Sequence, residues 1–344
     1  MRHNARRRLK ILALALLSVT ALWALSDPVY SIWLARNYLH YRFGTPPVAD
    51  ILDLRLLDDS YKIKLLNLES TVRFPLEPRL ELCQKPLRVL ILVTSRPQSV
   101  SQRSAVRASW ASQEMPDVGV LFVLGLDENR TEMEVVKRER NMYGDILMAD
   151  LKESYRNLTL KTYVALLWTA FKCAKASFVL KTDDDVLVIR ENLLSVCDSY
   201  ADTGNLIIGH RISDGHVRRK PHLDKGWHVT KELYKPDMYP PFCSGFAYLM
   251  SADVVPKLLT ASKGRNLLPV EDAFFTGVLA HDARVWRVKH QAFPYRAAEN
   301  FKTFDACTAK KYAAVHGFQT AEALRSVWRS YKEVAGDLCL NFFV

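Results

Sequence analysis

From about residue 86 the chain alternates two kinds of segment. Short β-branched and aromatic runs read as buried strands, and longer stretches with apolar positions at helical spacing read as helices. Leu87 to Val93 predicts a strand followed by a Thr/Ser/Pro turn, then a helix over Ser101 to Trp110. Val118 to Leu124 predicts the next strand and Glu132 to Arg140 a charged helix. Thr159 to Cys173 carries an apolar stripe of Leu160, Tyr163, Val164, Leu167 and Phe171, with Asn157 or Thr159 able to cap its start. Phe178-Val179-Leu180 and Val186-Val188 are buried strand runs, and a helix is expected from the Glu271-Asp272 pair after Pro269 to Ala280. The last helix, Thr320 to Val334, buries Leu324, Val327, Trp328 and Tyr331. This alternation is that of an α/β domain. No internal repeat interrupts it.

Ahead of that body the pattern changes. Residues 1–10 are a basic cytoplasmic tail, and Ile11 to Leu25 carries no charge. Residues 11–27 are therefore expected to be a signal-anchor transmembrane helix, somewhat shorter than the roughly 20 apolar residues of a typical span. Positive charge on its N-terminal side places the bulk of the chain in a lumen, a single-pass type II arrangement. Ala24-Leu25-Ser26 also resembles a small-x-small cleavage site, so a cleaved signal peptide is the competing expectation. Residues 28–85 are expected to be a lumenal stem, with Ile51 to Leu68 mixed as an amphipathic helix would be, and residues 86–344 to be the folded domain. Sequons at Asn129 and Asn157 agree with a secretory address.

Composition narrows the partners. The net charge of +11 could suggest nucleic acid, but Arg2, Arg6, Arg7, Arg8 and Lys10 supply five of those charges within the first ten residues. No nucleic-acid-binding signature occurs among the rest, and a basic groove for a phosphorylated small molecule accounts for the excess. The six cysteines are dispersed without a C-x-x-C pair, which argues against zinc and leaves too many disulfide pairings for sequence to choose among. His210, His216, His222 and His228 recur every six residues, which suits neither helix nor strand ligand geometry.

Candidate chemistry centres on Lys181-Thr182-Asp183-Asp184-Asp185-Val186. Three adjacent carboxylates at the end of a buried strand repel one another, and a divalent cation with oxygen ligands is the usual neutraliser. The competing reading is a solvated acidic turn. An EF-hand is excluded, because neither its glycine nor its distal glutamate follows at the required spacing. Arg103 and Arg107 share one helical face and could clamp phosphate or order carboxylates. Tyr239 to Tyr248 sets aromatics around a tight glycine turn, suited to stacking on a sugar or base. Glu271 and Asp272, in a first helical turn, are either dipole caps or a base held ionised beside a substrate. A lone histidine such as His316, ahead of the final helix, is more often structural than a ligand.

Taken in order, these pieces resemble glycosyltransferase family 31, the β-1,3-galactosyl- and N-acetylglucosaminyltransferases of the Golgi. The matching segments are Arg103 to Trp110, Asp150 with Ser154 to Thr162, Lys181 to Val186, Trp227 to Val229, Tyr239 to Gly245, Glu271-Asp272 with Gly277, and His316 to Trp328. The resemblance implies a GT-A type fold, a mixed and mainly parallel sheet flanked by helices. It implies a UDP-sugar donor, best taken as UDP-galactose, Mn²⁺, and a glycan acceptor on glycoprotein or glycolipid, joined in β-1,3 linkage with inversion. It assigns metal contacts to Asp183, Asp185 and His316, and donor contacts to Arg103, Arg107, Asp150, Lys161, Asp183 and Asp184. Asp272 becomes the base, with Glu271 its supporting neighbour. Family members often carry more glycine where this chain has Phe246-Ala247, and bulk at Phe246 bears on donor identity. An N-acetylglucosaminyl- or N-acetylgalactosaminyltransferase of the same family is the alternative within the class. A non-catalytic lumenal binding protein on the same fold is the alternative outside it. Self-association is left open.

Overall fold

The hydrophobic runs form the sheet they predict. In a computed structural model, residues 61–112, 115–222, 226–295 and 311–335 are described, all within one unit that begins at Arg55. Strands in chain order are β1 (Lys62–Leu65), β2 (Leu68–Thr71), β3 (Leu87–Thr94), β4 (Val118–Leu126), β5 (Ile146–Lys152), β6 (Ala176–Asp183) and β7 (Val186–Val188). They continue with β8 (Leu206–Ile212), β9 (Phe242–Ser251), β10 (Trp286–Lys289) and β11 (Ala314–His316). Seven of them make one sheet in the order β10-β8-β9-β6-β3-β4-β5, in which only β9 runs against its neighbours. The fold is mixed α/β with a mainly parallel central sheet flanked by helices, as expected.

Alternation along the central strands builds two cores. Leu90 and Leu92 of β3 join one apolar cluster, while Val89, Ile91 and Val93 join the other. Both faces of β3 are thus covered, which is why its sequence is a continuous apolar run rather than an alternating one. The helix Leu158–Lys172 is buried almost all round from Thr159 to Thr169. It lies between the sheet and the helix Val254–Ser262, so the stripe read from the sequence understates its burial.

Three expectations are corrected. Where Ile51 to Leu68 suggested an amphipathic helix, the described part is a β1–β2 hairpin whose first strand alternates exposed and buried positions. Residues 61–85, assigned to a stem, belong to the folded unit. The Arg73 amide donates to Asp150 Oδ1 at 2.7 Å, Leu76 bridges to Met148, and Cys83 is disulfide-bonded to Cys173. The segment from Tyr239 to Tyr248 is not an aromatic turn: from Phe242 it is the strand β9. The expected anchor over residues 11–27 lies outside the described residues, and no described helix is long and apolar enough to cross a membrane.

Candidate active site

Chain order creates a crevice between β3 and β6. From β3 the chain passes to β4 and β5 on one side, then returns to place β6 on the other. Parallel sheets bind ligands beyond the carboxyl ends of the strands at such a reversal. The acidic triplet begins at the last residue of β6, opposite Thr94. There the Thr94 hydroxyl donates to Asp183 Oδ1 at 2.6 Å and the Ser95 hydroxyl to Asp184 Oδ2 at 2.6 Å. The first two acids are therefore aimed by the end of the neighbouring strand. They are not a solvated turn.

One lysine ties this edge to the candidate base. Lys181, 1% exposed, donates through Nζ to Asp183 Oδ1 at 2.6 Å and to the Gly245 carbonyl at 2.7 Å, and lies 3.8 Å from Glu271 Oε2. Burial alone would depress this ammonium, but Asp183 and Glu271 override it and raise its pKa, so the charge is kept. Gly245 answers on its other side: its N–H donates to Asp272 Oδ2 at 3.0 Å. A Cβ on Gly245 would stand 3.3 Å from both Cβ and Oδ2 of Asp272, a tight contact that the absence of a side chain here relieves. A chain of contacts thus runs from the triplet through Lys181 and Gly245 to Asp272.

The two neighbours on the helical turn differ in environment. Glu271 is buried and accepts from the Tyr248 hydroxyl at 2.6 Å, and burial, with Asp272 nearby, pushes its pKa up to about 7. Asp272 is half-buried and also accepts from the Ala273 amide at 2.8 Å. Burial raises its pKa, opposed by the two backbone amides. A carboxylate more basic than usual, held open at the crevice, can take a proton; its enclosed neighbour cannot reach one. The helix that follows, Ala273–Leu279, is wound as a π-helix, a geometry frequent at functional sites.

Asp185 ends the triplet. Burial, then Asp183 and Asp184, raise its pKa to about 6, with His316 opposing. His316 lies on β11, which pairs with β7, and Gly317 at φ 112° turns the chain so that the Phe318 amide reaches the Asp185 carbonyl at 3.1 Å. The His316 Nε2 is 2.5 Å from the Tyr295 carbonyl oxygen, which can only accept. Nε2 therefore carries hydrogen in this arrangement, and in the neutral ring the lone pair is on Nδ1. Carboxylate oxygens with unrelieved mutual repulsion beside an imidazole suit a hard divalent cation in donor chemistry. Among the described residues no three such donors are already gathered into a coordination cluster. Asp185 is the acid of the three whose charge is least answered by protein donors.

The remaining predicted donor residues are engaged within the protein. Arg103, fully buried, forks onto Glu139 through Nε at 2.8 Å and Nη2 at 2.6 Å, and its Nη1 also reaches Ser95 Oγ at 3.2 Å. Arg107 binds Glu139 at 2.6 Å and Asp145 at 2.7 and 2.8 Å, beneath the Tyr143 ring. The arginine pair thus orders carboxylates, the second of the two uses its spacing allows, and Arg103 steadies the hydroxyl that aims Asp184. Lys161 donates to Glu153 Oε1 at 2.6 Å and to the Ser95 carbonyl at 2.7 Å, so it fixes the same turn. Asp150, exposed, accepts from the Arg73 amide through Oδ1.

The aromatics expected to stack on a sugar are core residues: Tyr239, Phe242, Phe246 and Tyr248 are all buried. Phe246 packs on His316, ring centres 4.7 Å apart. Sequence reasoning passed over Lys181, Thr94 and Ser95. Lys181 was visible in principle, because a lysine between Leu180 and Thr182 in a buried strand must find an anion. Thr94 and Ser95 had no such signal, since an ordinary turn uses the same residues.

With this geometry in place, comparison with known proteins is informative. Residues 101–291 match the family model described as Galactosyltransferase. UDP-GalNAc:beta-1,3-N-acetylgalactosaminyltransferase 1 of Mus musculus is 27% identical over 91% of this chain and 89% of its own. Beta-1,3-galactosyltransferase 1 of Mus musculus is 28% identical over 72% of this chain and 74% of its own. Among solved structures, the apo form of the bifunctional glycosyltransferase WbbM overlaps 73% of this chain and 52% of its own, with 10% identity and a TM-score of 0.37.

Proposed function

Because the chain belongs to the Galactosyltransferase family, we propose that it is an inverting, UDP-sugar-dependent β-1,3-galactosyltransferase of GT-A type. The observation that carries this reading is the contact chain from Asp183 through Lys181 and Gly245 to Asp272. It holds the acidic triplet and the Asp272 carboxylate together, which supports a reading in which one faces the diphosphate and the other takes a proton, as a displacement at an anomeric carbon requires.

In this reading the donor lies in the β3–β6 crevice. Asp185 and His316, with Asp183 beside them, would hold Mn²⁺, which would supply positive charge against the diphosphate. Asp272 accepts the proton of the acceptor hydroxyl as it attacks the face opposite UDP, so an α-linked donor gives a β-linked product. Glu271 does not meet substrate; it balances Lys181. N-acetylgalactosamine is the second donor reading, favoured by the N-acetylgalactosaminyltransferase relative, whose alignment covers more of this chain than the galactosyltransferase's does. The acceptor is a glycan on protein or lipid. A Golgi membrane location, with the body lumenal, is supported by the Cys83–Cys173 disulfide, since such bonds persist in oxidising compartments.

The test is transfer by the full-length chain from UDP-galactose, UDP-GalNAc and UDP-GlcNAc, with and without Mn²⁺. Asp272→Asn is expected to lower kcat about 1,000-fold with UDP affinity unchanged. Intact transfer by that variant removes Asp272 from the mechanism.

A further inference from the structure

Two large aromatic rings stand open beside this site. Trp227 is 53% exposed and Tyr155 56% exposed, yet they are joined, the indole Nε1 donating to the Tyr155 hydroxyl at 2.7 Å. Gly226 lies against the Tyr155 ring, and a Cβ there would come within 2.7 Å of Cε1, so a side chain at 226 would push the ring away. Tyr155 begins the short 3₁₀ turn Tyr155–Asn157, two residues after Glu153, which binds Lys161. Lys161 also donates to the Ser95 carbonyl, and the Ser95 hydroxyl holds Asp184, so Tyr155 follows directly on the turn that aims the acidic triplet; the charges of Asp272 and Asp183 both act on its hydroxyl.

The loop that brings Trp227 there is not loose. Arg219 Nη1 donates to the carbonyls of Val229 and Thr230 at 2.8 and 2.9 Å, and Nη2 to those of Tyr234 and Pro236 at 2.8 and 2.5 Å. One guanidinium therefore holds four carbonyls of the β8–β9 connection. Exposed aromatic area costs free energy in water, and a hydrogen bond fixing the rings edge to edge prevents them from folding away.

Resting on the transferase reading above, we propose that Tyr155 and Trp227 form a shelf for the acceptor, on which the pyranose ring carrying the attacking hydroxyl stacks through its C–H face beside Asp272. The Tyr155 hydroxyl accepts from Trp227, so its own proton is free for a sugar oxygen. The donor is the less suitable occupant, because the groups proposed to face its phosphates are carboxylates and hydroxyls at the β3–β6 edge, whereas the shelf is two largely apolar ring faces carried by other segments. This gives the stacking role to rings other than those of the 239–248 segment.

The experiment uses the full-length chain and its Trp227→Ala, Trp227→Phe and Tyr155→Phe variants. Initial rates are measured against short oligosaccharides ending in galactose, N-acetylglucosamine or N-acetylgalactosamine, at saturating UDP-sugar. Saturation-transfer NMR reads binding of the same oligosaccharides without donor. Trp227→Ala is expected to raise acceptor KM at least 10-fold and abolish the saturation-transfer signal, with donor KM and Tm unchanged. Trp227→Phe and Tyr155→Phe, which keep a ring, are expected to raise it only 2- to 5-fold. An unchanged acceptor KM, or a rise in donor KM instead, overturns the shelf. If the unaltered chain transfers no sugar but binds an oligosaccharide in a Trp227-dependent way, the shelf stands and the transferase reading falls. If no oligosaccharide binds and none is glycosylated, the shelf falls too.

Discussion

The β3–β6 edge and the β8–β9 connection are built on opposite plans. At the edge, each buried cation is answered by a carboxylate: Lys181 by Asp183 and Glu271, Arg103 by Glu139, Lys161 by Glu153. In the connection, Arg219 holds four backbone carbonyls, Lys231 pairs with Asp237, and the Trp227 ring is left in solvent. Buried ion pairs tolerate no rearrangement, because breaking one strands a charge. A loop pinned through carbonyls can change its side chains without touching its anchor. On the proposed transferase reading, the contrast gives departure of a diphosphate to the frame and choice of partner to the loop, where recognition residues commonly lie.

The largest break in the comparison is Lys181→Met. It removes a buried cation whose partners, Asp183 and Glu271, then repel each other without relief. Stranding one member of a buried pair costs about 3–5 kcal/mol. Urea denaturation should show a loss of that order, and transfer should fall because Gly245 is no longer held from its carbonyl side. A variant as stable as the unaltered chain would mean that the edge is not the rigid half.

How far the sequence foretold this contrast follows from what each part rests on. Strand and helix positions were legible because burial imposes a period: β3 and the 158–172 helix sit within a residue of their expected places, and β6 extends the expected 178–180 run to Ala176–Asp183. The family was legible from the order of its segments. The side-chain network was less so, since which cation answers which anion depends on strands far apart in sequence: Lys181 meets Glu271 across 90 positions, and nothing in either neighbourhood names the other. The Tyr239–Tyr248 segment misled because aromatic composition alone cannot tell a stacking surface from a core strand; β9 is covered on both faces, so its rings enter the two cores. The hairpin at residues 62–71 was missed for a related reason, that two four-residue strands are too short for period 2 to compete with a helical reading.

A smaller effect sharpens the frame side through pH. Burial lifts the Glu271 pKa from 4.5 to about 7, so between those values the folded protein binds a proton that the unfolded chain releases. Stability therefore falls as pH rises through that window and stays lower above it. Glu271→Gln keeps an acceptor for the Tyr248 hydroxyl and has no proton to lose. Thermal unfolding from pH 5 to pH 8 should show a decline for the unaltered chain that is shallower in the variant. Equal slopes would place the titration elsewhere.

The smallest global effect belongs to the loop, and it is the most discriminating. Arg219→Met deletes the guanidinium that gathers Val229, Thr230, Tyr234 and Pro236 while preserving an apolar stem. These carbonyls are near the surface, where water can replace the lost donors, so the unfolding free energy should change by less than about 1 kcal/mol. Order in the connection should change far more, because no other side chain in the described residues gathers those four carbonyls. Limited proteolysis should cut the variant between residues 213 and 241 well before the unaltered chain, and acceptor KM should rise while donor KM holds. Were Arg219→Met instead to lower stability as much as Lys181→Met, the two halves would be one cooperative frame, and tolerance of change in the loop could not be what separates recognition from departure of the diphosphate.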